Sequence, residues 1–478
     1  MLTSAHWATV GAYGTVLVVI GLWLSRRQRD TVDFFLAGRR LAWPAVAMSM
    51  YASVTSAVTF MGLPAQGAAG RLALVLVGPI SLAVAPWLAS RFYAAYRSAG
   101  VTTTYEFLEG RIGRPARRAA ALLFLAMRLS WLGLVVYAPA LAVSIATGLP
   151  LPAAVIGMGV VATAYTAMGG LAAVVWTDVA QFAVMAGGLL WVAAELVQRL
   201  PGGTAELPVN GAEWRPEFGR LNAFAVALAY PWVLLHEYGV DQVTAQRLLA
   251  VPNQQGVRRA VVWNAVADTL MVTLLLAVGV GLARLPLRGH GDLPHDARLM
   301  AFALEALPPV AGGLFLAAVL AAAMSSMDSG LNSAMTVVVS DFLRPARSRS
   351  EDEWLGFARR GTVVLGALAT LAGLGAARIG DLVRAFFTFA GLFNAPVLAL
   401  FLLALRPGHV PFRAWCGATV ASVGLCGALL LRGACHEIYL FPIGLAVSWG
   451  IPRSIAKWRE RSEDGSRGKQ GGGMRVRS

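Results

Sequence analysis

Two neighbouring serines, Ser325 and Ser326, lie in Ala322-Ala-Met-Ser-Ser-Met-Asp-Ser329, within a long apolar stretch. Positions 322, 325, 326 and 329 follow the i, i+3, i+4, i+7 spacing of one helical face. Two hydroxyls with a nearby backbone carbonyl offer neutral oxygens to a small hard cation, although inward hydroxyls also serve as interhelical glue. A second run, Tyr51 to Pro64, carries Ser53, Thr55, Ser56 and Thr59 ahead of Gly62 and Pro64. Dense Ser/Thr beside Gly and Pro permits a locally unwound helix whose carbonyls face a cation or a substrate. The plainer use of such small residues is close helix packing. Arg128 is the single charge in Leu122–Leu141, suited either to clamping a carboxylate or to snorkelling toward the interface. Asp178 follows Trp176-Thr177 before a long apolar run and reads as a helix-start acid. His236 and Glu237 read as a coupled ionisable pair or an interfacial one.

The elements that must hold these residues are membrane spans. Of 478 residues 57% are hydrophobic and 14% charged, with a mean hydropathy of +0.63. That charge content is far below the ~25% of soluble domains, which excludes disorder and an ordinary soluble enzyme. At about 20 apolar residues per crossing, thirteen spans are expected near 7–24, 43–70, 72–92, 118–147, 151–168, 177–198, 221–240, 260–283, 311–340, 361–378, 384–405, 412–431 and 436–451. The stretch 43–70 would be about 40 Å long as a straight helix, too long for a ~30 Å core, which again points to a break within it. The first stretch has no positive residues ahead of it and is read as a retained span.

The net charge of +15 follows the loops. Segments 25–40, 91–118, 241–259, 341–360, 406–413 and the tail from 452 hold 29 Lys+Arg, against 9 on the opposite side. The positive-inside rule then places the N-terminus outside and the C-terminus in the cytoplasm. No basic stripe interleaved with aromatics is present, so nucleic acid is not an expected partner. Two longer outer loops fall at 199–220 and 284–310, the second with an amphipathic stretch 297–307 expected along the membrane surface. Residues 1–452 read as one membrane domain, and the basic, Gly/Ser-rich 453–478 as a disordered cytoplasmic tail. Cys416, Cys426 and Cys435 show no CxxC or Cys/His spacing, and there is no Walker loop, nucleophile elbow or metalloprotease helix.

Four strings, Ala52–Pro64, Gly169-Gly-Leu-Ala-Ala-Val-Val-Trp-Thr-Asp178, Asp241-Gln-Val-Thr-Ala-Gln-Arg247 and Ala321-Ala-Ala-Met-Ser-Ser-Met-Asp-Ser-Gly-Leu-Asn-Ser333, resemble the sodium/solute symporter family in order and spacing. Tyr137-Ala-Pro-Ala-Leu-Ala142 and Ser56-Ala-Val-Thr59 resemble its iodide, monocarboxylate and vitamin branch. The resemblance implies an all-α polytopic fold like that of the leucine transporter. Two inverted five-helix repeats would occupy about 43–198 and 221–405. It implies a sodium site made by the carbonyls of Ala52, Thr55 and Ala322 and the hydroxyls of Ser325 and Ser326. In some members a second sodium sits at the positions of Asp178 and Ser329. Sugar-carrying members have Gln where Thr59 stands, Glu at Val58, and a gating Tyr near Glu237, so a sugar fits this chain less well. An acid-transporting relative binds its substrate carboxylate with an Arg in the helix that holds Arg128. The expected function is a sodium-coupled symporter of the inner membrane that imports a small organic solute, a carboxylate first, with Ser56, Thr59, Arg128, His236 and Glu237 at the substrate. Alternatives are proton coupling through Glu237, His236 or Asp178, a sugar or other solute, or a membrane sensor on a transporter scaffold. The oligomeric state is left open.

Overall fold

The computed structural model describes residues 2–25, 31–168, 170–200, 215–285, 298–343, 350–376, 382–405 and 411–471. The described chain is helical: α1 Ser4–Ser25, α2 Thr31–Leu36, α3 Trp43–Val54, α4 Ala57–Ala68, α5 Val77–Ala99, α6 Thr104–Arg111, α7 Arg114–Thr147, α8 Leu151–Met168, α9 Leu171–Arg199, α10 Ala223–Gly239, α11 Gln242–Leu249, α12 Gln254–Arg284, α13 Arg298–Ala306, α14 Pro309–Val337, α15 Glu351–Ala376, α16 Leu382–Phe389, α17 Ala395–Ala404, α18 Phe412–Leu431 and α19 Leu440–Gly471. Among the described residues, ten helical stretches are long and apolar enough to cross a membrane, and two bent pairs raise the number to twelve. The shorter apolar helix α8 stands at the expected fifth span.

The bent pairs position the site. α3 and α4 meet at 64°, α10 and α11 at 46°, and each pair is the first helix of one expected repeat. Both breaks are held by side-chain caps. Ser56 accepts the Thr59 N–H at 3.4 Å to start α4, and Asp241 accepts the Val243 N–H at 2.7 Å to start α11. Pro64 lies within α4 and Pro231 within α10. The α4–α12 crossing is backbone on backbone: a Cβ added at Gly67 would lie 2.2 Å from the Leu276 carbonyl oxygen, and one at Gly279 2.1 Å from that of Pro64. Only glycine permits that approach, the small-residue logic of membrane bundles. α14 is buried on nearly every face from Ala311 to Val337, and it packs on α9, α7, α3 and α1. At one end of the bundle, Arg117 bonds Asp341 at 2.5 Å, the Ser340 carbonyl at 2.7 Å and Glu109 at 2.7 Å, tying α6 and α7 to the π-helical turn Val338–Leu343 that follows α14. Hydrogen bonds from Arg117, then Arg114, hold the Glu109 carboxyl below its ordinary range.

Several expectations need correction. The span expected at 177–198 begins at Leu171, so Asp178 is two turns inside α9 and is not a helix-start acid. The segment 241–259, counted as a cytoplasmic loop, holds α11, whose residues are all buried. Its Arg247 is 1% exposed and does not belong in a count of loop charges. Leu299, Met300, Phe302 and Ala303 of α13 are buried, and the helix packs on α14, α4 and α7 rather than lying on the membrane surface. α19 runs on to Gly471, so most of the tail expected to be disordered is helical. Of the two outer loops, 201–214 and 286–297 lie outside the described residues.

Candidate functional site

The break after α3 takes carbonyls out of the helical ladder. The Ser56 N–H, which a continuous helix would direct to Ala52, goes instead to the Val54 carbonyl at 3.0 Å. The Ala52 oxygen receives the Ser325 hydroxyl at 2.6 Å, while that hydroxyl is 3.1 Å from the Ala322 oxygen. Ser326 donates to the Ser53 carbonyl at 3.0 Å. Ala52, Ala322, Ser325 and Ser326 thus lie where α3 meets α14, at the first break. The Ser53 carbonyl is an addition. Thr55 ends α3 and faces the adjoining cavity.

Asp178 and Ser329 also come together, but around a guanidinium. Asp178 Oδ2 accepts Arg247 Nη2 at 3.0 Å, the Ser49 hydroxyl at 2.6 Å and the Ser53 hydroxyl at 3.2 Å. Arg247 also donates from Nε to Ser49 at 2.7 Å, from Nη2 to the Ser329 hydroxyl, and from Nη1 to the Val243 carbonyl at 3.0 Å. A fixed cation thus stands at the oxygens that the sequence offered to a second sodium. The physical reason is that α11 lies inside the bundle, which brings Arg247 within reach of α9.

Between the two breaks lies a cavity of about 160 Å³ lined by Thr55, Thr59, Arg128, His236 and Glu237 among others. Ser56 does not line it: the residue is fully buried and its hydroxyl is used to cap α4. Arg128 does not snorkel. Its Nη2 donates to Asp241 Oδ2 at 2.8 Å, and its guanidinium carbon lies 5.3 Å from the centre of the Phe124 ring. Its buried Nε has no hydrogen-bond partner among the described residues, and the same holds for Nε2 of His236, which is 3% exposed. His236 and Glu237 are not interfacial, since both face this cavity.

Sequence reasoning missed several lining residues. Asp268 is the single acid of α12, and the rule that drew attention to Arg128, one charge in an apolar run, would have found it. Asp241 was read only as part of a motif, yet it both caps α11 and pairs with Arg128. Tyr230, Trp131, Phe386 and Asn394 also line the cavity. Asn394 closes a π-helical turn, Ala390–Asn394, the kind of irregular turn that re-aims side chains at sites.

The chain is similar to known transporters. Residues 34–407 match the sodium:solute symporter family. The chain is 30% identical over 460 residues to sodium-coupled monocarboxylate transporter 2 of Bos taurus, covering 90% of this chain and 71% of the relative. It is 30% identical over 420 residues to the sodium/iodide cotransporter of Homo sapiens, covering 83% and 65%. The structure of a substrate-bound, outward-open Na+-coupled sialic acid symporter superimposes with a TM-score of 0.87 at 22% identity, covering 95% of this chain and 98% of that one. At that identity the likeness establishes the leucine-transporter-like fold.

Proposed function

We propose that this chain, which belongs to the sodium:solute symporter family, imports a small organic carboxylate on the inward sodium gradient. Members of the family are transporters and not enzymes, and sodium is the coupling ion. The observation that carries the solute reading is Arg128, set in the wall of a membrane-embedded cavity with its Nε–H unpartnered among the described residues. A carboxylate in the cavity can bond the guanidinium while Asp241 keeps Nη2. The similarity to monocarboxylate transporters supports the same class. Size supports it too: about 160 Å³ is close to the ~150 Å³ that encloses one benzene ring, room for a short acid and little more.

The mechanism follows from where the oxygens lie. Sodium held by Ala52, Thr55, Ala322, Ser325 and Ser326 would fasten α3 to α14, favour the outward-open packing and shape the Thr55–Thr59 wall for the solute. Solute binding and closure would then carry both inward. We include one sodium in this reading, because Arg247 already neutralises Asp178. The charge asymmetry of the loops favours a cell-membrane orientation with the N-terminus outside.

Uptake into proteoliposomes tests the reading. Lactate and propionate are expected to accumulate under an inward sodium gradient and not under potassium, while hexoses are not carried. Hexose uptake in preference to acids, or acid uptake indifferent to sodium, would contradict it.

A further inference from the structure

The charge inventory of the cavity does not balance for a plain acid. Among the described residues that line it, Arg128 is the one permanent cation, and Asp241 already pairs with it. Glu237 on α10 and Asp268 on α12 also face the cavity, and neither makes a hydrogen bond or ion pair among the described residues. Acid groups without a partner in such a wall are costly to ionise, and either a proton or a positive partner relieves that cost. A solute bearing only a carboxylate brings neither of these groups a positive partner.

A second feature points the same way. The imidazole of His236 is almost wholly buried, lines the cavity and has an unpartnered Nε2. Aromatic rings complete the wall at Tyr230, Trp131 and Phe386, with Trp131 and Phe386 edge to face at 5.2 Å. Aromatic faces beside carboxylates are the chemistry that receives an ammonium group.

We propose that the transported solute is a small zwitterion, its cationic nitrogen seated between Glu237 and Asp268 and its carboxylate at Arg128. This rests on the carboxylate reading above and narrows it to short amino acids. His236 offers its unpartnered Nε2 to the polar atoms in between. Glu237 and Asp268 set specificity, so that plain acids are carried more slowly than solutes that bring their own counter-charge.

The test compares small probes in uptake assays under an inward sodium gradient: propionate, ethylamine, and the amino acids alanine, β-alanine and 4-aminobutyrate, which vary the spacing of the two charges. At least one amino acid is expected to exceed propionate in initial rate by about tenfold or more, given the energies of close charge pairs. Glu237→Gln and Asp268→Asn should each raise its half-saturating concentration by about tenfold or more and shrink the preference over propionate. Glu237→Asp should restore part of it. A change of preference is a readout that misfolding does not produce, and sodium binding without solute checks that each variant is intact. Propionate carried as well as the amino acids overturns the zwitterion while the carboxylate reading stands. Ethylamine carried as well as the amino acids, or sodium-driven uptake of none of these probes, overturns both.

Discussion

Arg247→Met is expected to lower the stability of the protein by about 3–5 kcal/mol, the usual cost of removing one partner from a buried ion pair. Arg247 is 1% exposed and Asp178 is fully buried. Without the guanidinium, Asp178 Oδ2 keeps only the Ser49 and Ser53 hydroxyls, both on α3. The loss is also architectural. Arg247 reaches α3 through Ser49, α9 through Asp178 and α14 through Ser329, so it fastens α11 to three other helices. Thermal unfolding in detergent should show the loss, and the double variant Asp178→Asn, Arg247→Met should recover part of it by removing the orphaned charge. Unfolding of Arg247→Met at the wild-type temperature would mean that the pair adds nothing to the packing.

Arg128→Gln is expected to reduce uptake efficiency for the carboxylate solute by about thirtyfold or more, the lower range for truncating a charged partner in a desolvated contact. Sodium binding measured without solute should persist, because the Ala52–Ser325 contacts lie on α3 and α14 and Arg128 on α7. Arg128→Lys is the informative companion. A lysine retains a charge for Asp241 but loses the planar fork that offers one edge to Asp241 and another to a solute. It should keep the fold and still impair uptake. Near-normal uptake by Arg128→Lys would reduce the residue to the counter-ion of Asp241.

The first break was legible in the sequence because its causes are local: hydroxyls at 53, 55, 56 and 59, then Gly62 and Pro64. The second was not. It falls at Val240-Asp241, ten residues beyond Pro231, and the polar run that follows looks like a loop. Only the fold shows that those polar groups are satisfied internally. Gln246 bonds the Phe35 carbonyl at 2.6 Å and Asn332 at 2.8 Å, and Arg247 bonds Asp178. The partners of the buried charges are equally remote, with Arg128 and Asp241 113 positions apart and Asp178 and Arg247 69 apart. Hydropathy and spacing along one helix carry no record of such pairs. The serine face of α14 was readable because its period is a property of a single helix, whereas its carbonyl partners at Ala52 and Ser53 came from family resemblance and from the fold.

The central claim is that the hydroxyls of α14 and the carbonyls freed by the first break together bind the sodium that drives transport. Titration of sodium against binding without solute, in wild type and in the Ser325→Ala, Ser326→Ala double variant, tests it most directly. Removing two oxygen ligands should raise the half-saturating sodium concentration by about tenfold or more, with sodium-dependent uptake shifted in parallel. The same sodium dependence in the double variant as in wild type, with the protein folded, would contradict the assignment.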